Sequence, residues 1–201
     1  MEFALLGEKL GHSFSPQIHR ALAGCDYQLL PTPPEAVADL FRRRDFRGLN
    51  VTIPYKQTVM PLCDEIDPRA AAIGAVNTVV NRGGRLTGYN TDIDGLIYLA
   101  RRTGVDMAGK KVVILGSGGT GRTARAAAGE LGAAEIVTVS RGGEDNYETL
   151  SRHADAQVLL NTTPVGMYPN CGVSPVSLDA FPHLEGVLDV VYNPLRTALL
   201  L

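Results

Sequence analysis

The chain of 201 residues contains no tryptophan, and only 6% of its residues are aromatic. Its formal net charge of -2 leaves no surplus of basic residues. Proteins that bind nucleic acids usually combine a basic surface with aromatic side chains on which bases stack. The composition therefore argues against a nucleic-acid-binding protein, and we predict no nucleic-acid partner.

Cysteine is also scarce, and neither the cysteines nor the histidines have a metal-binding spacing. The cysteines are Cys25, Cys63 and Cys171, and the histidines are His12, His19, His153 and His183. An odd number of distant cysteines predicts neither a disulfide framework nor a zinc site. We expect reduced thiols in a cytoplasmic protein that needs no metal.

Long hydrophobic runs are missing as well. No apolar run approaches the length that spans a membrane, and charged residues interrupt the amino terminus where a signal core would lie. We therefore expect no membrane partner. The oligomeric state stays open between a monomer and a homodimer.

Short apolar runs alternate with helical patterns, which is typical of βα units around a mostly parallel sheet. Strands are predicted at 3–7, 27–31, 48–53, 112–115, 135–140, 156–163 and 186–192, with a hairpin at 75–90. One helix is predicted to start at Ser15, with Ser15 as its N-cap. Further helices are predicted at 34–44, 55–63, 92–104, 122–132 and 146–153. We predict the α/β fold class, with one domain at 1–91 and a second, Rossmann-like doubly wound domain at 92–201.

The motif GSGGTG at 116–121 follows an apolar strand and opens a helical pattern. Its glycines allow a tight turn and the approach of a pyrophosphate to a helix N-terminus. The next strand ends at Ser140 and Arg141, and an arginine there suits the 2′-phosphate of NADP. Glu144 and Asp145 follow closely and would repel that phosphate. We predict NADP, with NAD as the alternative.

Lys56 in NVTIPYK and Asp92 in YNTD are the candidates for acid-base chemistry. A lysine held against a carboxylate passes a proton to or from a substrate hydroxyl while a cofactor exchanges the hydride. The alternative is a surface salt bridge. With the dinucleotide motif, the pair predicts a dehydrogenase that acts on a small molecule.

Seven ordered motifs resemble those of the shikimate dehydrogenase family. They are GHSFSPQIH at 11–19, NVTIPYK at 50–56, GAVNT at 74–78, NTDIDG at 90–95, GSGGTG at 116–121, NTTPVGM at 161–167 and DVVYNPLRTALL at 189–200. The resemblance implies NADP-dependent, reversible reduction of 3-dehydroshikimate to shikimate in aromatic amino-acid biosynthesis. Lys56 and Asp92 would then be catalytic. The domain at 1–91 would be the substrate-binding catalytic domain, and the domain at 92–201 would bind NADP.

The resemblance also implies roles for further residues. Ser13 and Ser15, at a helix start where an anion is favoured, would hold the substrate carboxylate. The other substrate contacts would be Thr52, Asn77 and Tyr192. The cofactor contacts would be Gly116, Ser117, Gly118, Gly119, Thr120, Ser140, Arg141, Thr162, Thr163, Pro164, Val165 and Val190.

Two alternatives to this function remain. One is a quinate dehydrogenase, or a dehydrogenase of another small hydroxy acid, that uses NAD. The other follows from TALLL at 197–201, where the chain stops while the family's helix continues. The resemblance therefore predicts a C-terminally shortened chain, and the alternative is a cofactor-binding protein without turnover.

Overall fold

The computed structural model describes residues 1–11 and 13–201, so His12, one of the histidines considered above, lies outside the described residues. The chain divides into two compact units, Met1–Thr91 and Asp92–Leu201. Each unit combines its own sheet with helices, which confirms the predicted α/β class.

The first unit has a mixed sheet with the strand order β2-β1-β3-β5-β6-β4. Its strands are β1 (Phe3–Gly7), β2 (Tyr27–Pro31), β3 (Gly48–Val51), β4 (Glu65–Ile66), β5 (Thr78–Arg82) and β6 (Arg85–Tyr89). Its helices are α1 (Ser15–Ala23), α2 (Pro34–Arg43) and α3 (Pro68–Ile73), with a 3-10 turn at Met60–Leu62. Strands β2, β1 and β3 are parallel, and β5 runs antiparallel to both β3 and β6.

Helix α2 covers the core of this unit because its apolar residues recur at helical spacing. Val37, Leu40 and Phe41 are buried on one face, as the sequence predicts. They belong to a cluster with alternate residues of the strands, including Leu6, Leu49, Val79 and Leu86. Alternation places these side chains on one face of the sheet.

Two predictions of element bounds in this unit are wrong. The predicted helix at 55–63 consists of turns that end in the 3-10 turn at Met60–Leu62, where the N–H of Leu62 bonds to the Val59 carbonyl three residues earlier. Pro61 lacks the N–H that an α-helix would need at that position. The strand predicted at 48–53 ends at Val51, three residues before Pro54.

A third wrong prediction concerns the start of α1. The carbonyl of Phe14 accepts the first helical bond, from Ile18 N–H at 3.0 Å, so Phe14 and not Ser15 is the N-cap. The Oγ of Ser13 accepts the backbone N–H of Ser15 at 3.2 Å. Two serine hydroxyls therefore lie together at this helix start, 3.1 Å apart.

The second unit has a parallel sheet with the order β10-β9-β7-β8. Its strands are β7 (Lys111–Leu115), β8 (Glu135–Val139), β9 (Val158–Asn161) and β10 (Gly186–Asp189), and its helices are α4 (Asp92–Thr103) and α5 (Gly119–Glu130). The 3-10 turns are Leu150–His153, Leu178–Ala180 and Ala198–Leu200. The prediction of a helix at 146–153 is therefore wrong for most of its length, because only the 3-10 turn at its end forms.

Buried strands and a small-residue helix face explain the packing of this unit. Strand β9 is buried throughout, as expected for a parallel strand covered on both faces. Helix α5 buries Gly121, Ala124, Ala127 and Ala128, which let its backbone approach the sheet. In the described ranges no helix is long and apolar enough to cross a membrane. Nor do histidines, cysteines and carboxylates gather there in a group suited to a metal ion.

Asp64 anchors the β5–β6 hairpin to the end of α2. The two terminal nitrogens of Arg44 donate to its carboxylate, both at 2.8 Å, and the N–H of Leu86 donates to it at 2.7 Å. These bonds, from Arg44 first and Leu86 second, hold the pKa of Asp64 below its ordinary value. Arg44 adopts a left-handed backbone, with φ of 56°, to end α2 at this point.

Leu86→Ala should lower the free energy of unfolding by about 2–5 kcal/mol, because it opens a cavity in the core. Leu86 is 0% exposed, whereas Leu22 on α1 is 83% exposed. Leu22→Ala is therefore the matched control and should change stability by no more than about 0.5 kcal/mol. Urea unfolding followed by circular dichroism measures both. Equal losses for the two variants would contradict the assigned core.

Asp64→Asn should lower stability near neutral pH and make it less sensitive to acid. A carboxylate whose folded pKa is depressed stabilises the fold above its unfolded pKa, about 3.9, and loses that contribution as the pH falls through the folded pKa. Urea midpoints of both proteins near neutral pH and at about pH 3 measure the effect. A difference between them that stays constant with pH would refute this role.

Candidate functional site

The loops at one edge of the first sheet carry most of the predicted substrate residues. The chain leaves β1 for β2 on one side and returns to β3 on the other, so the switch point of the parallel strands lies between β1 and β3. Strand β5 begins at that edge and β6 ends there, since Thr78 pairs with both Asn50 and Tyr89. Thr52, Asn77 and Thr91 therefore lie at the same edge.

Close backbone contacts position Thr52 at this edge. Its N–H donates to the Leu6 carbonyl at 2.9 Å, which extends the pairing of β3 with β1 by one residue. A Cβ on Gly7 would lie 2.7 Å from the methyl carbon of Thr52 and 2.6 Å from a Leu10 methyl. A side chain at position 7 would therefore displace Thr52 or Leu10.

The neighbouring residue Tyr55 anchors the backbone of Lys56 at this edge of the sheet. The Tyr55 ring is buried and its hydroxyl donates to the Thr32 carbonyl at 2.6 Å. The carbonyl of Lys56 accepts the N–H of Val76 at 2.7 Å, which fixes its backbone beside the segment that carries Asn77. The structure thus places the lysine and asparagine motifs next to each other.

Asn77 is buried, and its amide joins the start of β5 to the end of β6. Its Oδ1 accepts the N–H of Thr91 at 2.8 Å, and its Nδ2 donates to the Thr91 hydroxyl at 3.0 Å. The Thr78 hydroxyl also donates to Oδ1, at 3.1 Å. These bonds fix the orientation of the amide, which is what a hydroxyl-binding group requires.

The network of side-chain hydrogen bonds continues across the sheet toward α1. Asn50 Nδ2 donates to Thr78 Oγ1 at 3.1 Å, and the Tyr27 hydroxyl donates to Asn50 Oδ1 at 2.7 Å. The His19 ring stacks on Tyr27 with centroids 3.9 Å apart, and its Nδ1 lies 2.9 Å from the Ser15 carbonyl. Burial, followed by the charge of Cys25, raises the pKa of Tyr27, which keeps its phenol protonated.

Sequence reasoning missed Asn50 and Thr91 as members of this site, although both stand inside motifs that it quoted. Their spacing from Thr52 and Asp92 was visible, but their bonds to Thr78 and Asn77 join strands that are remote in sequence. Tyr27 had no motif at all. Only the strand register brings its hydroxyl to Asn50.

In the second unit the switch point lies between β7 and β9, and the glycine motif occupies it. Gly116 has a φ of 108°, and the Thr162 hydroxyl donates to the Leu115 carbonyl at 2.6 Å. A Cβ on Gly121 would lie 2.1 Å from the Gly116 carbonyl oxygen. Glycine at these positions lets α5 begin directly against the turn.

The first turn of α5 suits a phosphate. Gly118 is its N-cap and brings no side chain to bond the N–H groups of the following residues. Among the residues that the structure describes, no heavy atom outside the adjoining backbone lies within 4 Å of where a Cβ on Gly118 would stand, so the space above it is open. Ser117, Gly119 and Thr120 complete this turn, which offers backbone donors and the positive end of the helix dipole.

Two side chains hold the loops that follow β9 and β10. Asn161 is fully buried and donates to Asp189 at 3.0 Å, while its Oδ1 accepts the Thr163 N–H at 3.0 Å and hydroxyl at 2.7 Å. The Val190 N–H donates to the Asn161 carbonyl at 3.1 Å. The segment from Thr163 to Val165 and the residue Val190 are thereby fixed at the carboxyl ends of adjacent strands. Sequence reasoning missed Asn161 and Asp189.

The remaining predicted residues follow strands of the second unit or belong to different units. Ser140 and Arg141 follow β8, the strand beside β7, and Arg141 is exposed. Tyr192 follows β10 and is 60% exposed. Lys56 belongs to the first unit and Asp92 is the first residue of the second, so their pairing stays a prediction.

Comparison with known proteins gives one consistent family. Residues 5–79 match the family model described as the shikimate dehydrogenase substrate binding domain. A shikimate dehydrogenase (NADP(+)) of Geobacillus sp. (strain WCH70) is 37% identical over 222 residues, which cover 97% of this chain and 80% of that protein.

Solved structures agree. The crystal structure of shikimate dehydrogenase 1 from Peptoclostridium difficile has a TM-score of 0.92 and 37% identity, covering 99% of this chain and 80% of that one. Shikimate 5-dehydrogenase from Thermus thermophilus, in complex with NADP(H) and shikimate, has a TM-score of 0.87 and 33% identity, covering 100% and 82% of the two chains.

Two glycine variants separate the packing role of the turn from its binding role. Gly121→Ala should cost roughly 1–3 kcal/mol of stability, because the new Cβ collides with the Gly116 carbonyl. Gly118→Ala should cost less than about 1 kcal/mol, since the site is open and φ is −71°. Its methyl group should nevertheless weaken NADP binding about tenfold or more. Urea unfolding and isothermal titration measure the two effects, and undiminished NADP affinity in Gly118→Ala would contradict the assigned phosphate site.

Proposed function

Because the chain belongs to the shikimate dehydrogenase family, we propose that it catalyses the NADP-dependent, reversible reduction of 3-dehydroshikimate to shikimate. The observation that carries the proposal is the first sheet's edge, where the N–H of Val51, the residue before Thr52, bonds to the Asn77 carbonyl and the N–H of Val76 bonds to the Lys56 carbonyl. The relatives' names supply the substrate and the cofactor, and the chain spans about 80% of the first relative's length.

Substrate recognition in this proposal follows from the chemistry of shikimate, which has a carboxylate and three ring hydroxyls. Ser13 and Ser15 bind the carboxylate with their hydroxyls at the positive end of α1. Thr52 and Asn77 bind ring hydroxyls, and the bonded amide of Asn77 needs no reorientation when substrate arrives. Tyr192 supplies a further substrate contact from the second unit.

Cofactor recognition is assigned to the turn after β7 and the loops after β8 and β9. The open N-terminus of α5 fits a pyrophosphate, because Gly118 leaves room for it and backbone N–H groups line the turn. Ser140 and Arg141 receive the 2′-phosphate. When bound, NADPH supplies the hydride. The residues Thr162 to Val165 contact the dinucleotide, and Val190, after β10, contacts its nicotinamide.

Proton transfer is assigned to Lys56 and Asp92. As the carbonyl of 3-dehydroshikimate accepts a hydride, its oxygen gains negative charge and must take up a proton. The Lys56 ammonium donates that proton, and in the reverse reaction the neutral amine removes it. Asp92 orients the ammonium group and accepts a hydrogen bond from the same hydroxyl.

Lys56→Ala should lower kcat for shikimate oxidation about 10²- to 10⁴-fold with NADP affinity unchanged. Lys110→Ala is the matched control, since Lys110 pairs with Glu185 at the start of β7 and should leave kcat unchanged. The measurement is the steady-state rate of formation of the reduced nicotinamide cofactor, followed by its absorbance. It is made with shikimate and with quinate, each with NADP and with NAD. Unchanged turnover of Lys56→Ala would remove Lys56 from the mechanism.

The pairing of Lys56 with Asp92 is tested in the same assay. If the two residues act as a unit, Lys56→Ala combined with Asp92→Asn should be little slower than Lys56→Ala by itself. Losses that multiply would instead mean that the two residues act independently. A preference for quinate with NAD would favour the alternative substrate and cofactor.

A further inference from the structure

The residues from Ser140 to Asp145 form a closed turn directly after β8. The N–H of Ser140 donates to the Asp145 carbonyl at 3.0 Å, and the N–H of Gly143 donates to the Ser140 carbonyl at 3.2 Å. A Cβ on Gly143 would lie 2.9 Å from the Ser140 hydroxyl oxygen and 3.0 Å from the Asp145 carbonyl oxygen. The turn is therefore tight, and it returns Asp145 to the end of β8.

This position is unfavourable for an acidic residue in an NADP-binding protein. The end of the second strand of a dinucleotide-binding unit faces the ribose 2′ position. A carboxylate there binds the free hydroxyl of NAD and repels the 2′-phosphate of NADP. Arg141 and Asp145 thus favour opposite cofactors from the two ends of one short turn.

His153 contacts the Asp145 carboxylate. It ends the 3-10 turn at Leu150–His153, and its Nε2 lies 2.8 Å from Asp145 Oδ1. The His153 residue is 9% exposed, whereas the Asp145 side chain is 34% exposed. Within residues 1–11 and 13–201, the buried Nδ1 of His153 has no hydrogen-bond partner, so Nε2 makes the described polar contact of this ring. The carboxylate accepts the Nε2–H and is held by it.

We propose that His153 determines the preference for NADP over NAD by holding the Asp145 carboxylate against its imidazole. When His153 holds the Asp145 carboxylate, the positive charge of Arg141, near the other end of the turn, is the one that faces the ribose 2′ position. His153 is a positioning residue, because it acts through Asp145 and not on the cofactor. The inference rests on the proposed function, since it concerns how that cofactor is selected.

His153→Leu should raise the Kd for NADP roughly tenfold, because it releases a carboxylate beside the 2′-phosphate. The Kd for NAD should stay equal or fall, since the free hydroxyl can bond to that carboxylate. Isothermal titration of the whole chain with each nucleotide gives both constants. His183→Leu, an exposed histidine of the same unit, is the matched control and should change neither.

The combination of His153→Leu with Asp145→Asn should restore the wild-type Kd for NADP, because it removes the released charge. Thermal unfolding of each variant shows whether it is folded. Equal weakening of both nucleotides by His153→Leu, without restoration in the double variant, would assign His153 a merely structural role and overturn the proposal.

Asp145→Asn by itself keeps the proposal testable if His153→Leu does not fold. The wild-type carboxylate is already engaged, so this variant should change the Kd for NADP less than about threefold. A tenfold tighter Kd would mean that Asp145 faces the phosphate despite His153, and the inference would be wrong. These titrations need no substrate, whereas failure of the proposed function is seen as no shikimate-dependent formation of NADPH.

Discussion

Parallel strand pairing is the constraint on which the candidate site residues of each unit depend. Adjacent parallel strands end at the same edge of a sheet, and loops that diverge from a switch point leave room for a ligand there. In the first unit the switch point between β1 and β3 gathers the loops that carry Ser13, Thr52 and Lys56. In the second unit the switch point between β7 and β9 gathers the glycine turn and Thr162. Residues from distant parts of the sequence reach one edge because of this pairing.

Buried asparagines hold those edges in shape. Asn77 and Asn161 each bond loop backbone with their side-chain oxygen and a neighbouring side chain with their amide nitrogen. An asparagine so buried is costly unless its donors and acceptors are satisfied. Once satisfied, it permits one arrangement of the loops around it. The two asparagines therefore stabilise the loops that carry the candidate substrate and cofactor residues.

The sequence predicted the elements whose signals are local. Periodicity identified β1, α2, the β5–β6 hairpin and β7, and the glycine motif marked the turn before α5. Predictions based on a short polar signal were less successful. Ser15 was expected to cap α1, yet the hydroxyl that accepts the N–H of Ser15 is that of Ser13. The segment at 55–63 has helical composition, but Pro61 limits it to turns and a 3-10 turn.

The sequence by itself determined the α/β class, the motifs and the residue types available for chemistry, because these depend on composition and short-range spacing. It also indicated the conflict between Arg141 and Asp145 but not its resolution. Only the tertiary structure decided that Tyr27 bonds to Asn50, that Asn161 bonds to Asp189 and that His153 holds Asp145. The first two of these contacts join different strands. The third joins the 3-10 turn at Leu150–His153 to the turn that follows β8. Their partners were decided by strand register and packing, which no local pattern in the sequence records.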